Sequence, residues 1–178
     1  MKHIILIVVL LLSLPKNFAQ VDLSHSKHIR LPKRELAISV GDNMVISQKS
    51  EITIKELGSY TLSYLKRLDD DVTFWLGGYF NIITYATYYH YWTVISLAPS
   101  MRVSYLNKSK ATLYSGLSLG FGLELIPPPY PSMKREYDPF IFYQVTALGF
   151  SYGKKFFAGA ELGYGHKGIG CFNAGYKW

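Results

Sequence analysis

The chain has 178 residues, of which 49% are hydrophobic and 16% aromatic but only 17% charged, against roughly a quarter charged in an ordinary soluble domain. A lone cysteine, Cys171, excludes an intrachain disulfide, and the net charge of +7 forms no continuous stripe, which argues against nucleic acid as a partner. The length suits one domain with short appendages.

Lys2 and His3 precede the apolar run IILIVVLLLSL, which Pro15 ends. That run is too short to span a bilayer as a helix and has the length of a secretory signal's central region. Cleavage is expected after Ala19 or Gln20, so residues 1–19 read as a signal peptide. Its removal takes away Lys2 and Lys16 and lowers the formal charge from +7 to +5. Residues 20–34, polar and basic, read as a flexible arm. Within it His25 and His28 lack further ligands of the kind a structural metal site needs.

From Glu35 onward apolar residues recur at every second position, the period of a strand. ELAISVG sets Leu36, Ile38 and Val40 against Ala37 and Ser39. GSYTLSYLKR sets Tyr60, Leu62 and Tyr64 against Thr61 and Ser63. VTFWLGGYFNII sets Phe74, Leu76, Phe80 and Ile82 against Gly77, Tyr79 and Asn81. TVISLAPSMRVSY sets Ile95, Leu97, Met101 and Val103 against Ser96, Ser100, Arg102 and Ser104. YSGLSLGFGLEL sets Leu117, Leu119, Phe121 and Leu123 against Gly116, Ser118, Gly120, Gly122 and Glu124. FIFYQVTALGFSY carries Gln144 and Thr146 on its polar side. FFAGAELGY sets Phe156, Leu162 and Tyr164 against Gly159, Glu161 and Gly163, and after the link GHKG the last strand, IGCFNAGYKW, aligns Phe172, Ala174, Tyr176 and Trp178. Short connections (LDDD, NKSK, GKK) alternate with longer ones around 42–57, 86–91 and 125–138; the link at 165–168 is a brief exception. This predicts an all-β, eight-stranded antiparallel chain.

Such alternation fits a soluble barrel with its apolar face inward or a transmembrane barrel with that face in lipid. The polar face is rich in Gly rather than Lys, Glu or Arg, as expected of a crowded lumen and not of a water-facing sheet. Aromatics, among them Tyr60, Tyr79, Trp92, Tyr105, Tyr143, Tyr164, Tyr176 and Trp178, fall near the predicted strand ends, where a lipid–water boundary favours them. Both features, with the alternating connections, point to an up-and-down transmembrane β-barrel over 35–178.

The run YQVTALGFSYGKKFFAGAELGYGHKGIGCFNAGYKW, with WTVISLAPSMRVSYL and ATLYSGLSLGFGLEL, resembles the outer-membrane β-barrel-domain proteins of Gram-negative bacteria. The resemblance implies an integral outer-membrane protein with both termini periplasmic and outer-membrane lipid and lipopolysaccharide around it. It also implies that the barrel-assembly machinery reads the terminal strand; Phe172, Ala174, Tyr176 and Trp178 occupy the matching positions, with Ala174 where a larger apolar residue is usual.

On this phase Glu35, Arg102, Glu124, Glu161 and Lys177 point into the lumen, forming with Gln144 and Asn173 a polar packing network. Eight strands leave no bulk-water pore. Neither His90 nor His166 has a hydroxyl partner nearby in sequence, so the reading is non-enzymatic, with no catalytic residue, metal or cofactor. His166 reads as a boundary residue at an outer strand end. The long connections would meet surface polysaccharide or a host ligand. Two alternatives stay open: an outer-membrane lipid-A acyl hydrolase or transferase, and a secreted soluble lipid-binding barrel.

Overall fold

A computed structural model of the protein describes residues 32–42, 55–68, 74–86, 91–107, 110–126 and 136–178. The signal peptide and nearly all of the arm read from sequence lie outside these residues, as do His90 and most of the long connections. The strands are β1 (Arg34–Gly41), β2 (Lys55–Arg67), β3 (Phe74–Ala86), β4 (Tyr91–Asn107), β5 (Ala111–Ile126), β6 (Glu136–Gly153), β7 (Phe156–Gly165) and β8 (Gly170–Lys177). Each pairs antiparallel with its neighbour in sequence, and β8 pairs back onto β1, closing the sheet into an eight-stranded up-and-down barrel. Closure gives every strand a paired neighbour on each side, as a sheet in hydrocarbon requires; toward one end β6 outruns β7, whose ladder with it covers Gln144–Gly153.

The period of two decides which face is which. Even-numbered residues of β1 and β8 face outward: Ile38 is 65% exposed and Phe172 77% exposed, while their neighbours Ala37, Ser39 and Asn173 are buried. The same inversion holds on β4, β5 and β6, where Leu97, Phe121 and Ile141 are exposed and Ser96, Ser118 and Gln144 are buried. An ordinary soluble core reverses this assignment.

Two aromatics assigned from sequence to the boundary ring turn out otherwise. Tyr79 is buried inside the barrel with Ala98 and Phe142, and Trp92 packs against the inner pair Ile83 and Val94. The reason is parity: both occupy inward positions, and position near a strand end does not change the direction of a side chain. The inward glycines make room for such rings. A Cβ on Gly122 would enter the Phe140 ring, one on Gly149 the Tyr114 ring, and one on Gly175 the Phe157 ring.

The connections β2–β3, β4–β5 and β6–β7 share one rim with the start of β1 and the end of β8, called here the terminal rim. The connections β1–β2, β3–β4, β5–β6 and β7–β8 form the opposite rim.

Candidate functional site: the filled lumen

Charged side chains from four strands meet inside the barrel. Arg102 of β4 donates from Nη1 to Glu35 Oε1 of β1 at 2.6 Å, and its Nη2 lies 3.8 Å from Glu161 Oε1 of β7. Lys177 of β8 donates from Nζ to Ser151 Oγ at 2.9 Å and stands 3.6 Å from Glu35 Oε2. Glu161 also accepts from Tyr114 Oη at 2.8 Å, from Asn173 Nδ2 at 3.3 Å and from Thr146 Oγ1 at 3.5 Å. The Arg102 guanidinium lies over the Tyr114 ring, 4.0 Å from its centroid, and Lys177 Nζ over the Phe157 ring at 4.3 Å. Buried charges are costly unless paired and hydrogen-bonded, and here each carboxylate has two cationic partners.

Toward the opposite rim the β7–β8 link folds into the barrel mouth. Gly165 and Gly168, both at positive φ (137° and 97°), bracket His166 and Lys167 and turn these two residues inward. A Cβ on Gly168 would strike the backbone carbonyl of Asp42. The Asp42 carboxylate accepts from the amides of Ile169 (2.6 Å) and Gly170 (3.3 Å), tying the link to the end of β1. Gln144 holds it from β6: its Oε1 accepts from Lys167 N at 2.7 Å. Lys167 then reaches down the lumen, its Nζ 4.5 Å from the Tyr79 ring centroid and 3.7 Å from Glu161 Oε2.

His166 corrects the sequence reading of a boundary residue. Its ring is buried, stacked on Phe142 with centroids 4.0 Å apart, tilted against Phe140, and its Nε2 lies 2.7 Å from Ser96 Oγ. Burial pushes its pKa down to about 4, so the ring is neutral near pH 7. A hydroxyl partner is thus present, seventy residues away in sequence. The pair nevertheless lacks what acyl chemistry needs: both side chains are buried, and among the described residues no carboxylate hydrogen-bonds to the histidine. A histidine with so low a pKa is also a weak general base.

The residues singled out from sequence are therefore divided. Arg102, Glu161, Asn173 and Lys177 come together in one cluster with Glu35. Gln144 serves the inward-folded link. Glu124 stands half-buried at the opposite-rim end of β5, beside Val94 and Asp138 in register. Eight residues along β5 from Gly116, the register partner of Arg102, it is about 26 Å from the cluster at ~3.3 Å per residue. Phe172, Ala174, Tyr176 and Trp178 line the outer face of β8. Sequence reasoning missed Tyr114, Ser96, Lys167 and Asp42. The two glycines flanking HK were the one local sign of the inward turn.

The barrel is similar to the crystal structure of the N-terminal β-barrel domain of Pseudomonas aeruginosa OprF, with a TM-score of 0.52 and 14% identity, over 83% of this chain and 98% of that one. At that identity the likeness is one of fold. No protein-family model matches the chain, and no curated protein matches it.

Proposed function

We infer that the protein is an integral outer-membrane barrel, non-enzymatic, with its termini on the periplasmic side and its long connections presented outside. The observation that carries this reading is the inversion of faces: Phe121 and Ile141 are 71% and 69% exposed, while Glu35 and Glu161 are 2% and 6% exposed. Hydrocarbon left in water forgoes about 25 cal/mol for every Å²; in a bilayer the same surface meets its preferred solvent. Likeness to an outer-membrane barrel domain supports the location by analogy of fold alone.

The lumen residues Arg102, Glu161, Asn173 and Lys177 then serve as packing, holding opposite walls together, with the His166–Lys167 link as a stopper. A barrel so filled is an anchor rather than a channel. Outer-membrane lipid and lipopolysaccharide surround it. Phe172, Ala174, Tyr176 and Trp178 act as the strand read by the assembly machinery, and the long connections engage surface polysaccharide or a host molecule.

Fractionation of cells making the full chain, followed by gel electrophoresis with and without boiling, tests the reading. A membrane barrel stays in the outer-membrane fraction and changes mobility on boiling. Recovery in the soluble periplasmic fraction with identical mobility both ways refutes it.

A further inference from the structure

Outside the barrel at the terminal rim, three exposed side chains lie side by side in one row. Arg34 N donates to Trp178 O at 2.9 Å and Trp178 N to Arg34 O at 3.0 Å, so these two residues stand directly opposite on β1 and at the end of β8. On its other side Arg34 is the register partner of Lys66 in β2. Parity turns Trp178, Arg34 and Lys66 to the outer surface, and all three are exposed. Directly opposed residues have Cβ atoms about 4.5–5.5 Å apart, and like charges so placed repel. Lys155, also exposed, adjoins the row, its carbonyl accepting from Lys177 N at 2.7 Å. Among the described residues no carboxylate forms an ion pair with Arg34, Lys66 or Lys155. Asp69–Asp71, in the β2–β3 connection, lie outside those residues.

Beside this cationic row runs a shelf of outward rings. Phe156 and Tyr176 have centroids 5.0 Å apart, Tyr176 and Trp178 are stacked at 5.8 Å, and Trp178 meets Tyr64 at 6.4 Å. Tyr and Trp rings favour the glycerol and headgroup level of a bilayer. Cations just beyond that level face lipid phosphates.

We propose that this patch on the β7–β8–β1–β2 wall binds an anionic glycerophospholipid, whose phosphate bridges Arg34 and Lys66 while its glycerol and upper acyl chains lie on the ring shelf. The inference rests on the membrane reading above. The guanidinium offers a planar fork to the two non-bridging oxygens of the phosphodiester, and the ammonium brings a compact charge to one of the same oxygens. One anion thereby converts a repulsive cross-strand pair into a bridged one. A zwitterionic headgroup brings its own ammonium and cancels much of that gain.

The test reconstitutes the full chain in phosphatidylcholine vesicles with and without phosphatidylglycerol and measures the ratio of the two lipids retained by the folded barrel after mild detergent extraction. The wild type enriches phosphatidylglycerol, and Arg34→Gln and Lys66→Gln each cut the enrichment about fivefold. Lys110→Gln, on the same rim just before β5, leaves it unchanged. Lys66→Glu guards against misfolding: it abolishes the enrichment yet raises the unfolding temperature in pure phosphatidylcholine, because the like-charge pair becomes an opposite-charge pair. No enrichment in the wild type, as would follow if Asp69–Asp71 already neutralise the row, overturns the proposal. So does enrichment that survives these substitutions or falls equally with Lys110→Gln. Insertion without enrichment removes the lipid site alone; failure of the wild type to insert into phosphatidylcholine removes the membrane reading and the site with it.

Discussion

Glu161→Gln probes whether the lumen is dry. The substitution keeps the shape and one oxygen acceptor for Tyr114 and Asn173, but it removes the charge facing Arg102 at 3.8 Å and Lys167 at 3.7 Å. At the effective dielectric of a partly buried site each attraction amounts to roughly 4 kcal/mol, offset in part by the carboxylate desolvation that the variant no longer bears. Arg102 retains Glu35 at 2.6 Å, whereas among the described residues the Lys167 ammonium keeps only the Tyr79 ring. The loss therefore falls mainly on Lys167, and a net destabilisation of about 3–5 kcal/mol is expected, as for a buried pair deprived of one member. Urea unfolding of the reconstituted barrel, followed by tryptophan fluorescence and the gel shift, measures it. Combining Glu161→Gln with Lys167→Met should recover about half of the loss, since the stranded ammonium is gone. A loss below about 1 kcal/mol in the single variant, with no coupling in the cycle, would mean that water hydrates these charges and would refute the filled lumen.

Three further outcomes follow from the same geometry. Phe121→Arg, on the outer face of β5, should cost about 2–4 kcal/mol in a bilayer by urea titration; a variant as stable as wild type would place that face away from lipid. Gly122→Ala should cost about 1–3 kcal/mol by driving a methyl into the Phe140 ring, and adding Phe140→Leu should restore much of it; a neutral single substitution would contradict the packing. The neutral His166 ring, with its pKa lowered by burial from 6.5 to about 4, contributes fully above pH 6.5. Protons bind the unfolded or expelled link more readily, so stability falls as pH drops from 6.5 toward 4, by up to about 3 kcal/mol. The protection factors of the Lys167 and Ile169 amides, taken against the intrinsic exchange rate at each pH, should fall over that window in wild type and not in His166→Phe; an equal fall in both would sink this reading.

Much of the fold was legible because a strand's period leaves little freedom. Once Leu117, Leu119, Phe121 and Leu123 share a face, Glu124 and the glycines must share the other. The inward direction of Arg102, Glu161 and Lys177 followed from the same parity. Which of them meet did not, because pairing across a barrel depends on the stagger between strands, and stagger is set by ladders and by bulges such as those at Tyr114/Gly116 and Thr146/Leu148. Tyr79 shows a different limit: its aromatic character suggested the boundary, but its parity put it inside. The link GHKG was the hardest case. As a string it is an ordinary surface turn, and only the distant Asp42, Gln144 and Phe142 make the inward position favourable. No local pattern encodes such partners.

The charged cluster draws its members from β1, β4, β7 and β8. A sheet that has not yet curled shut holds Glu35 and Lys177 at its two far margins, so neither can neutralise the other until the seam between them zips. Assembly should therefore be all-or-none, and a chain shorn of its last strand would leave a splayed sheet with orphaned charges, not a smaller cylinder.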